Sequence, residues 1–323
     1  MPARKHIRIT EVGPRDGLQN EAVVVSVQEK VAFVDLLSQA GVAEIEVSSF
    51  VSPQWVPQLG DAEDVFGRMS RRDSVVYSAL VPNEEGMQRA LAAHVDKIAL
   101  FTAASETFSR KNTNATIGET LRRFTPVIAQ ARSASLPVRA YISCAVACPY
   151  EGAIDPGQVR EVAARLLDIG ADEIDLGETI GVAVPSDIDR LYEGLTGLLE
   201  PAQTTLHLHD TRGTALACAL RAIQLGVVSF DATCGGLGGC PYAPGAAGNL
   251  ATEDLVYLCN RMGYETGVDL GALFAASRHV AAALGRALPG RVFGADGNER
   301  GNDKGTGTTK GPNDKGTGSR FGR

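Results

Sequence analysis

Nowhere does this chain string together the roughly 20 apolar residues that a membrane-spanning helix requires, so no helical membrane segment is expected. Its first residues, Met-Pro-Ala-Arg-Lys-His, run straight into a strand-like segment without the apolar core of roughly 7 to 15 residues that drives secretion, and a cytoplasmic location is expected. Positive charge is in deficit. With 31 Lys+Arg against 38 Asp+Glu the formal net charge is −7, which disfavours a general nucleic-acid binder, because such proteins meet phosphates with lysine and arginine. Small molecules are the expected partners. Cysteine is sparse and scattered, at positions 144, 148, 218, 234, 240 and 259, in a chain large enough to need no staples; a reducing compartment suits it. Cys144 and Cys148 are separated by three residues, which misses the Cys-x-x-Cys redox spacing, and no second pair completes a zinc site. Both read as structural thiols.

What is present is a composition of 44% apolar and 21% charged residues, ordinary for a soluble globular protein with a large core. At 323 residues the chain is long for one common domain but within the range of a (β/α) barrel. Short β-branched runs alternate with amphipathic segments. Strands are expected at 7–12, 44–47, 75–80, 97–101, 138–143, 173–176, 204–209 and 227–232, and helices at 26–39, 84–93, 117–133, 156–169, 186–199, 214–224 and 252–261. The alternation alone also permits a doubly wound sheet, but eight strand candidates favour an α/β (β/α)8 TIM barrel. A further helical region at 270–288 caps or extends it. From Gly294 the composition turns to glycine, asparagine, aspartate, lysine and threonine, with Asn-Asp-Lys-Gly-Thr-Gly at 302–307 and again at 313–318. Such a stretch buries too little surface to offset its ordering entropy. Residues 1–293 are therefore expected to form the barrel and 294–323 a disordered tail.

In a barrel the chemistry sits at the carboxyl ends of the strands and in the loops that follow. Strand one ends in a polar cluster that includes Glu11, Arg15, Asp16 and Gln19. The seventh strand ends in His207-Leu208-His209-Asp210, and alternate residues of a strand share a face, so the two imidazoles project together. Inside a barrel two neutral imidazoles are costly without partners. A divalent metal is one such partner; carbonyls or carboxylates are the other. Asp16 and Asn249 offer oxygen atoms, and a set of two imidazoles, one carboxylate and one amide suits Mg²⁺, Mn²⁺ or another hard-to-borderline ion better than a thiolate zinc cage. Arg15 adjoins Asp16, where a fixed guanidinium would stabilise developing oxyanion charge. Glu46 alternates with Ile45 and Val47 and faces inward, and the sixth strand offers Asp175, Glu178 and Thr179. Residues 235–250, mostly glycine, alanine and proline, carry Cys240 on what reads as a mobile lid.

With these groups in place the chain resembles the 3-hydroxy-3-methylglutaryl-CoA lyases of the DRE-TIM metallolyase superfamily. The resemblance rests on Thr10-Glu-Val-Gly-Pro-Arg-Asp-Gly-Leu-Gln-Asn-Glu21, Ser49-Phe-Val-Ser-Pro, Trp55-Val-Pro-Gln, Cys148-Pro-Tyr-Glu-Gly, Thr179-Ile-Gly, His209-Asp-Thr, Gly236-Leu-Gly-Gly-Cys-Pro-Tyr-Ala and Gly248-Asn-Leu-Ala-Thr-Glu-Asp-Leu. It covers residues 7–285 and excludes the tail. It implies a barrel that uses a divalent cation, Mg²⁺ or Mn²⁺, to cleave a 3-hydroxyacyl-CoA into acetyl-CoA and a 3-oxoacid, with a place in leucine degradation and a homodimer. It further implies that Asp16, His207, His209 and Asn249 hold the cation, that Arg15 stabilises the enolate, that Cys240 transfers a proton once its loop closes, and that Glu11 and Glu46 are acids of the site. Gln19, Ser49, Glu178, Thr179 and Arg212 fall where the substrate would be met. A Claisen-type synthase of the same superfamily, joining acetyl-CoA to a 2-oxoacid, shares the cation ligands but lacks the Cys240 loop in this form; a non-catalytic barrel is the third reading.

Four positions depart from the pattern. Those lyases carry Ser-Leu-Gly-Asp-Thr where this chain has Asp175-Leu-Gly-Glu178-Thr179, and His-Asp-Thr-Tyr-Gly-Gln where it has His209-Asp-Thr-Arg212-Gly-Thr214. Either the gained acid and base pair with each other, or Arg212 meets a substrate carboxylate and shifts the acyl-CoA preference.

Overall fold

The computed structural model describes residues 6–239 and 248–297. Eight parallel strands close into a barrel: β1 (Arg8–Glu11), β2 (Glu44–Ser49), β3 (Val76–Leu80), β4 (Lys97–Ala103), β5 (Val138–Ser143), β8 (Glu173–Glu178), β9 (Thr204–Leu208) and β10 (Ser229–Ala232). β1 pairs with β2 on one side and β10 on the other, which shuts the sheet. The two remaining strands, β6 (Ala147–Cys148) and β7 (Gly152–Ala153), make a small antiparallel hairpin beside it. The alternation of strand and helix thus resolves as the (β/α)8 barrel, and the doubly wound sheet is excluded by closure.

Helices cover the outside: α1 (Val27–Gln39), α2 (Ala62–Arg68), α3 (Glu84–Ala92), α4 (Glu106–Thr113), α5 (Ile117–Ser133), α6 (Pro156–Ile169), α7 (Pro185–Leu195), α8 (Ala215–Leu225), α9 (Thr252–Arg261) and α10 (Leu270–Leu284). Their ends follow from local chemistry. Thr116 and Glu119 close a reciprocal capping box at the start of α5, and Gly170, with φ of 107°, ends α6 in the left-handed conformation. α10 stops short of the expected residue 288 because Gly285, at φ 67°, terminates it in the same way. The hairpin, α2 and α4 were not expected; each is too short to leave a periodic signature. A helical turn at Phe293–Gly297 crosses the expected 293/294 boundary. The tail from residue 298 lies outside the described residues. No helix among those described is long and apolar enough to cross a membrane.

The strands are buried on both faces, as helix-wrapped parallel strands are; β2 and β9 are buried along their whole length. The inward faces of the amino-terminal half carry charge. Arg139 is enclosed, with Nη1 3.0 Å from Asp231 and Nη2 donating to Thr10 at 2.9 Å. Lys97 pairs with Glu44 at 3.1 Å and with Glu173, which also pairs with Arg8. Burial pulls the Lys97 ammonium down to about 8, with Arg139 adding to the effect. This charged plug fills the barrel from below, so the open end is the carboxyl-terminal mouth.

Candidate active site

Strand β9 aims His207 into the barrel, and the residue after the strand, His209, follows on the same side. Their Nε2 atoms lie 3.2 Å apart. Asp16 enters from a helical turn at Gly13–Gly17 immediately after β1, its amide donating to the Val12 carbonyl at 2.8 Å. One donor atom from each of Asp16, His207 and His209 falls within 4.8 Å of the others. Asn249 completes the group. It is bridged through its backbone to His209, and its Nδ2 donates to Asp16 Oδ2 at 2.9 Å and to the Leu237 carbonyl at 3.2 Å. Its Oδ1 is buried without a partner.

These groups fit a divalent cation. Two imidazole lone pairs facing each other need a proton or a cation between them. With neither metal nor partner the two rings diverge: burial opposes the charge on His207, but its bond to Asp231 and the nearby Asp16 raise it to about 9. His209 is driven down to about 4 by burial and then by His207. A divalent ion would replace the shared proton, could take the orphaned Asn249 oxygen, and would meet a carboxylate already charged: although burial opposes it, the Arg15 guanidinium holds Asp16 well below the usual carboxylate range. His207 is oriented as cation-binding histidines usually are, with Nδ1 3.1 Å from Asp231 Oδ2.

Gly238 makes this packing possible. It adopts φ of +103°, and a Cβ there would stand 2.8 Å from Asn249 Nδ2 and 3.3 Å from Gly17 Cα. Any side chain would push Asn249 away from Asp16.

Arg15 lies beside the cluster and is almost fully enclosed, at 6% exposure. Its Nη1 meets Asp16 Oδ1 at 2.6 Å, its Nε pairs with Glu46, and its guanidinium sits 5.5 Å from the centre of the Tyr141 ring. Tyr141 donates to the other Glu46 oxygen at 2.6 Å. Glu46 stands next to a register shift in the β2–β3 ladder, a common device for aiming a side chain at a site. Burial pushes its pKa up, against the pull of Arg15.

The other expected site residues divide. Ser49 is buried at the end of β2, its Oγ accepting the Val51 amide at 3.2 Å, and Thr179 accepts the Cys144 amide at 2.8 Å. Gln19 lines a groove of about 300 Å³ with Glu21, Val24, Trp55 and Gln58. Glu11 points outward from β1, in the parity of Ile9 rather than Thr10. Its Oε1 accepts the amides of Gly13 at 2.9 Å and Cys234 at 2.8 Å, and its Oε2 meets Thr252 Oγ1 at 2.6 Å. Glu178 shares the parity of Leu176 and accepts the Val182 amide at 3.0 Å. Arg212 donates from Nη1 to the Ile180 carbonyl at 2.9 Å and the Gly181 carbonyl at 3.1 Å. Cys240 lies outside the described residues.

The gained acid and base do not pair. Asp175 is enclosed in the barrel beneath His207, 3.6 Å from Arg139 Nη1, with both oxygens lacking a hydrogen bond; Arg212 is exposed on the rim. Burial, then Asp231, pushes the Asp175 carboxyl well above its ordinary range. Asp231, Tyr141 and Arg139 were missed in the sequence. Asp231 had a signal: in Ser229-Phe-Asp-Ala232 it alternates with apolar residues and so faces inward.

A closed parallel barrel whose carboxyl-terminal mouth gathers a cation-ready donor set beside a fixed arginine belongs with the (β/α)8 barrel enzymes. Comparison narrows this class. A family model described as HMGL-like matches residues 6–280. The cytoplasmic 3-hydroxy-3-methylglutaryl-CoA lyase of Rattus norvegicus is 48% identical over 288 residues, covering 89% of this chain and 84% of its own. The structure of the Bacillus subtilis HMG-CoA lyase superposes with a TM-score of 0.89 at 43% identity, over 91% of this chain and 99% of that one. An HMG-CoA lyase from Acinetobacter baumannii, in complex with coenzyme A and 3-methylmalate, superposes with a TM-score of 0.85 at 38% identity, over 91% and 96%. The chain belongs to the HMGL-like family and is a lyase.

Proposed function

We propose that this enzyme cleaves 3-hydroxy-3-methylglutaryl-CoA into acetyl-CoA and acetoacetate. The observation that carries the reading is the meeting of Asp16, His207, His209 and the unpartnered Asn249 oxygen directly beside the enclosed Arg15. Asp16, His207, His209 and Asn249 would hold a divalent cation, Mg²⁺ or Mn²⁺. When bound, such an ion supplies Lewis acidity toward the substrate's tertiary hydroxyl and carbonyl oxygens.

The chain's own groups do the rest. Loss of the hydroxyl proton turns the tertiary alcohol into the ketone of acetoacetate as the adjacent carbon–carbon bond breaks, and the bonding electrons pass to the thioester as an enolate. Arg15 offers a permanent positive charge to that enolate oxygen. Glu46 and Tyr141 fix the guanidinium from behind, so little reorganisation is needed when the charge arrives. The thiol of Cys240, on the loop between β10 and α9, is the proposed donor to the enolate carbon, which completes acetyl-CoA. Ser49, Gln19 and Thr179 are proposed contacts for the acyl-CoA at the mouth. The described free cysteines are all buried, which suits a reducing compartment, and we place the enzyme in the cytoplasm.

The test is a coupled assay of acetyl-CoA release from 3-hydroxy-3-methylglutaryl-CoA, with and without Mg²⁺ or Mn²⁺, for the wild type and Cys240→Ser. Metal-dependent release that drops by orders of magnitude in the variant supports the assignment. Equal release by the variant removes Cys240 from the mechanism, and no release at all from the wild type removes the substrate.

A further inference from the structure

The loop at residues 179–183 has to be held from outside. Its sequence, Thr-Ile-Gly-Val-Ala, contributes one polar side chain, and among the described residues none of its backbone groups pairs with another backbone group. Partly buried peptide groups need partners. Cys218 Sγ donates to the Ala183 carbonyl at 3.3 Å, and two charged side chains supply the others. The Glu178 carboxylate accepts the Val182 amide at 3.0 Å, with the Gly181 and Ala183 amides also turned toward it. Arg212 Nη1 donates to the carbonyls of Ile180 at 2.9 Å and Gly181 at 3.1 Å. The anion takes the loop's donors, and the cation takes the carbonyls of Ile180 and Gly181.

The loop reaches the 211–212 segment because residue 181 is glycine. It has φ of +61°, and a Cβ would stand 2.6 Å from the Thr211 side chain. Glu178 and Arg212 are two of the four positions at which this chain leaves the pattern of the lyases it resembles, and both departures converge on one stretch of five peptide units. The first residue of that stretch, Thr179, is anchored by the Cys144 amide at 2.8 Å, and Gly181 packs on Thr211, two residues beyond His209. The clamped loop thus packs against the 211–212 segment that follows His209.

We propose that Glu178 and Arg212 are a pair of positioning residues: together they hold loop 179–183 against the 209–212 segment that carries His209, and so set the affinity of the cation site. This rests on the cation-site reading above. Neither residue touches the cation or the reacting atoms; each acts through the loop.

The experiment is a titration of metal-stripped, substrate-free protein with Mn²⁺, reading the free-ion signal by electron paramagnetic resonance, with amide exchange at residues 181–183 followed in parallel. Glu178→Met and Arg212→Met should each weaken Mn²⁺ binding about tenfold, and the double variant also by about tenfold rather than a hundredfold, because both act on one loop. Exchange at 181–183 should rise in all three. Glu178→Gln keeps an acceptor and Arg212→Lys keeps a donor, so both should stay within about threefold of wild type. Faster exchange with unchanged Mn²⁺ affinity, or multiplicative losses in the double variant, would overturn the proposal while leaving the cation site intact. Failure of the unaltered protein to take up Mn²⁺ would overturn the site and this inference together.

Discussion

His207 and Asp231 face each other across 3.1 Å, the imidazole Nδ1 against a carboxylate that Arg139 holds at 3.0 Å from the far side. This contact fixes which ring nitrogen of His207 is left for the mouth of the barrel, and it makes that nitrogen more basic. Asp231→Asn keeps the shape and removes the charge. We expect it to weaken Mn²⁺ binding roughly 10- to 100-fold, measured by calorimetric titration of metal-free protein, with thermal stability lowered as Arg139 loses an anion. Unchanged affinity would show that His207 is not a ligand.

Cation binding should be coupled to pH. In the metal-free protein His207 is raised to about 9 and His209 is lowered to about 4. Binding needs both imidazoles neutral, so near neutral pH one proton must leave His207. Affinity should therefore fall as pH drops below about 9, with close to one proton released per ion at pH 7. Titrations in buffers of different ionisation enthalpy count that proton directly.

Glu11 predicts a pH dependence of stability with the opposite sign to that of most carboxylates. Burial lifts it to about 8, while an unfolded glutamate titrates near 4.5. Between these values the folded state binds the extra proton, so stability falls as pH rises through that window. Glu11→Gln mimics the protonated acid, keeping an acceptor for the Gly13 and Cys234 amides and a donor for Thr252. Thermal midpoints should decline from pH 5 to pH 9 in the wild type and decline less steeply in the variant. Parallel slopes would mean that Glu11 is charged in the folded protein.

Gly238→Ala introduces a Cβ at 2.8 Å from Asn249 Nδ2 at a residue with φ of +103°. The backbone strain alone costs on the order of 1–2 kcal/mol, readable by chemical denaturation. Cation affinity should fall as well, because Asn249 is displaced from Asp16.

Arg15→Met should lower kcat by roughly two to three orders of magnitude, the usual effect of removing one group that meets developing negative charge, with a much smaller change in KM. A loss carried by KM alone would make Arg15 a binding residue.

Much of this was legible because barrels advertise themselves. Eight strand and helix alternations give the fold, and the His-x-His spacing in a strand fixes two side chains on one face without any tertiary information. Strand parity also sorts acids: Glu46 alternates with apolar neighbours on the helix side and faces in, whereas Glu11 and Glu178 share the outward parity of Ile9 and Leu176 and serve loops. That distinction was readable in principle, but a polar cluster at a strand end masks it. Asp231 was hidden for another reason. Its role depends on β10 closing against β1 and β9, which bring Arg139 and His207 to it from 92 and 24 residues away, and no local pattern reports such contacts. The destination of Arg212 was likewise set by how closely two loops approach, which Gly181 decides.

The account stands most directly on the dependence of cleavage on a single bound cation. Metal-stripped enzyme titrated with Mn²⁺ in the presence of 3-hydroxy-3-methylglutaryl-CoA should release acetyl-CoA in proportion to occupancy, saturating at one ion per chain, and Asp16→Asn should lose binding and cleavage together. Cleavage that persists after metal removal, or an Asp16→Asn protein that loses the ion and keeps its rate, would contradict it.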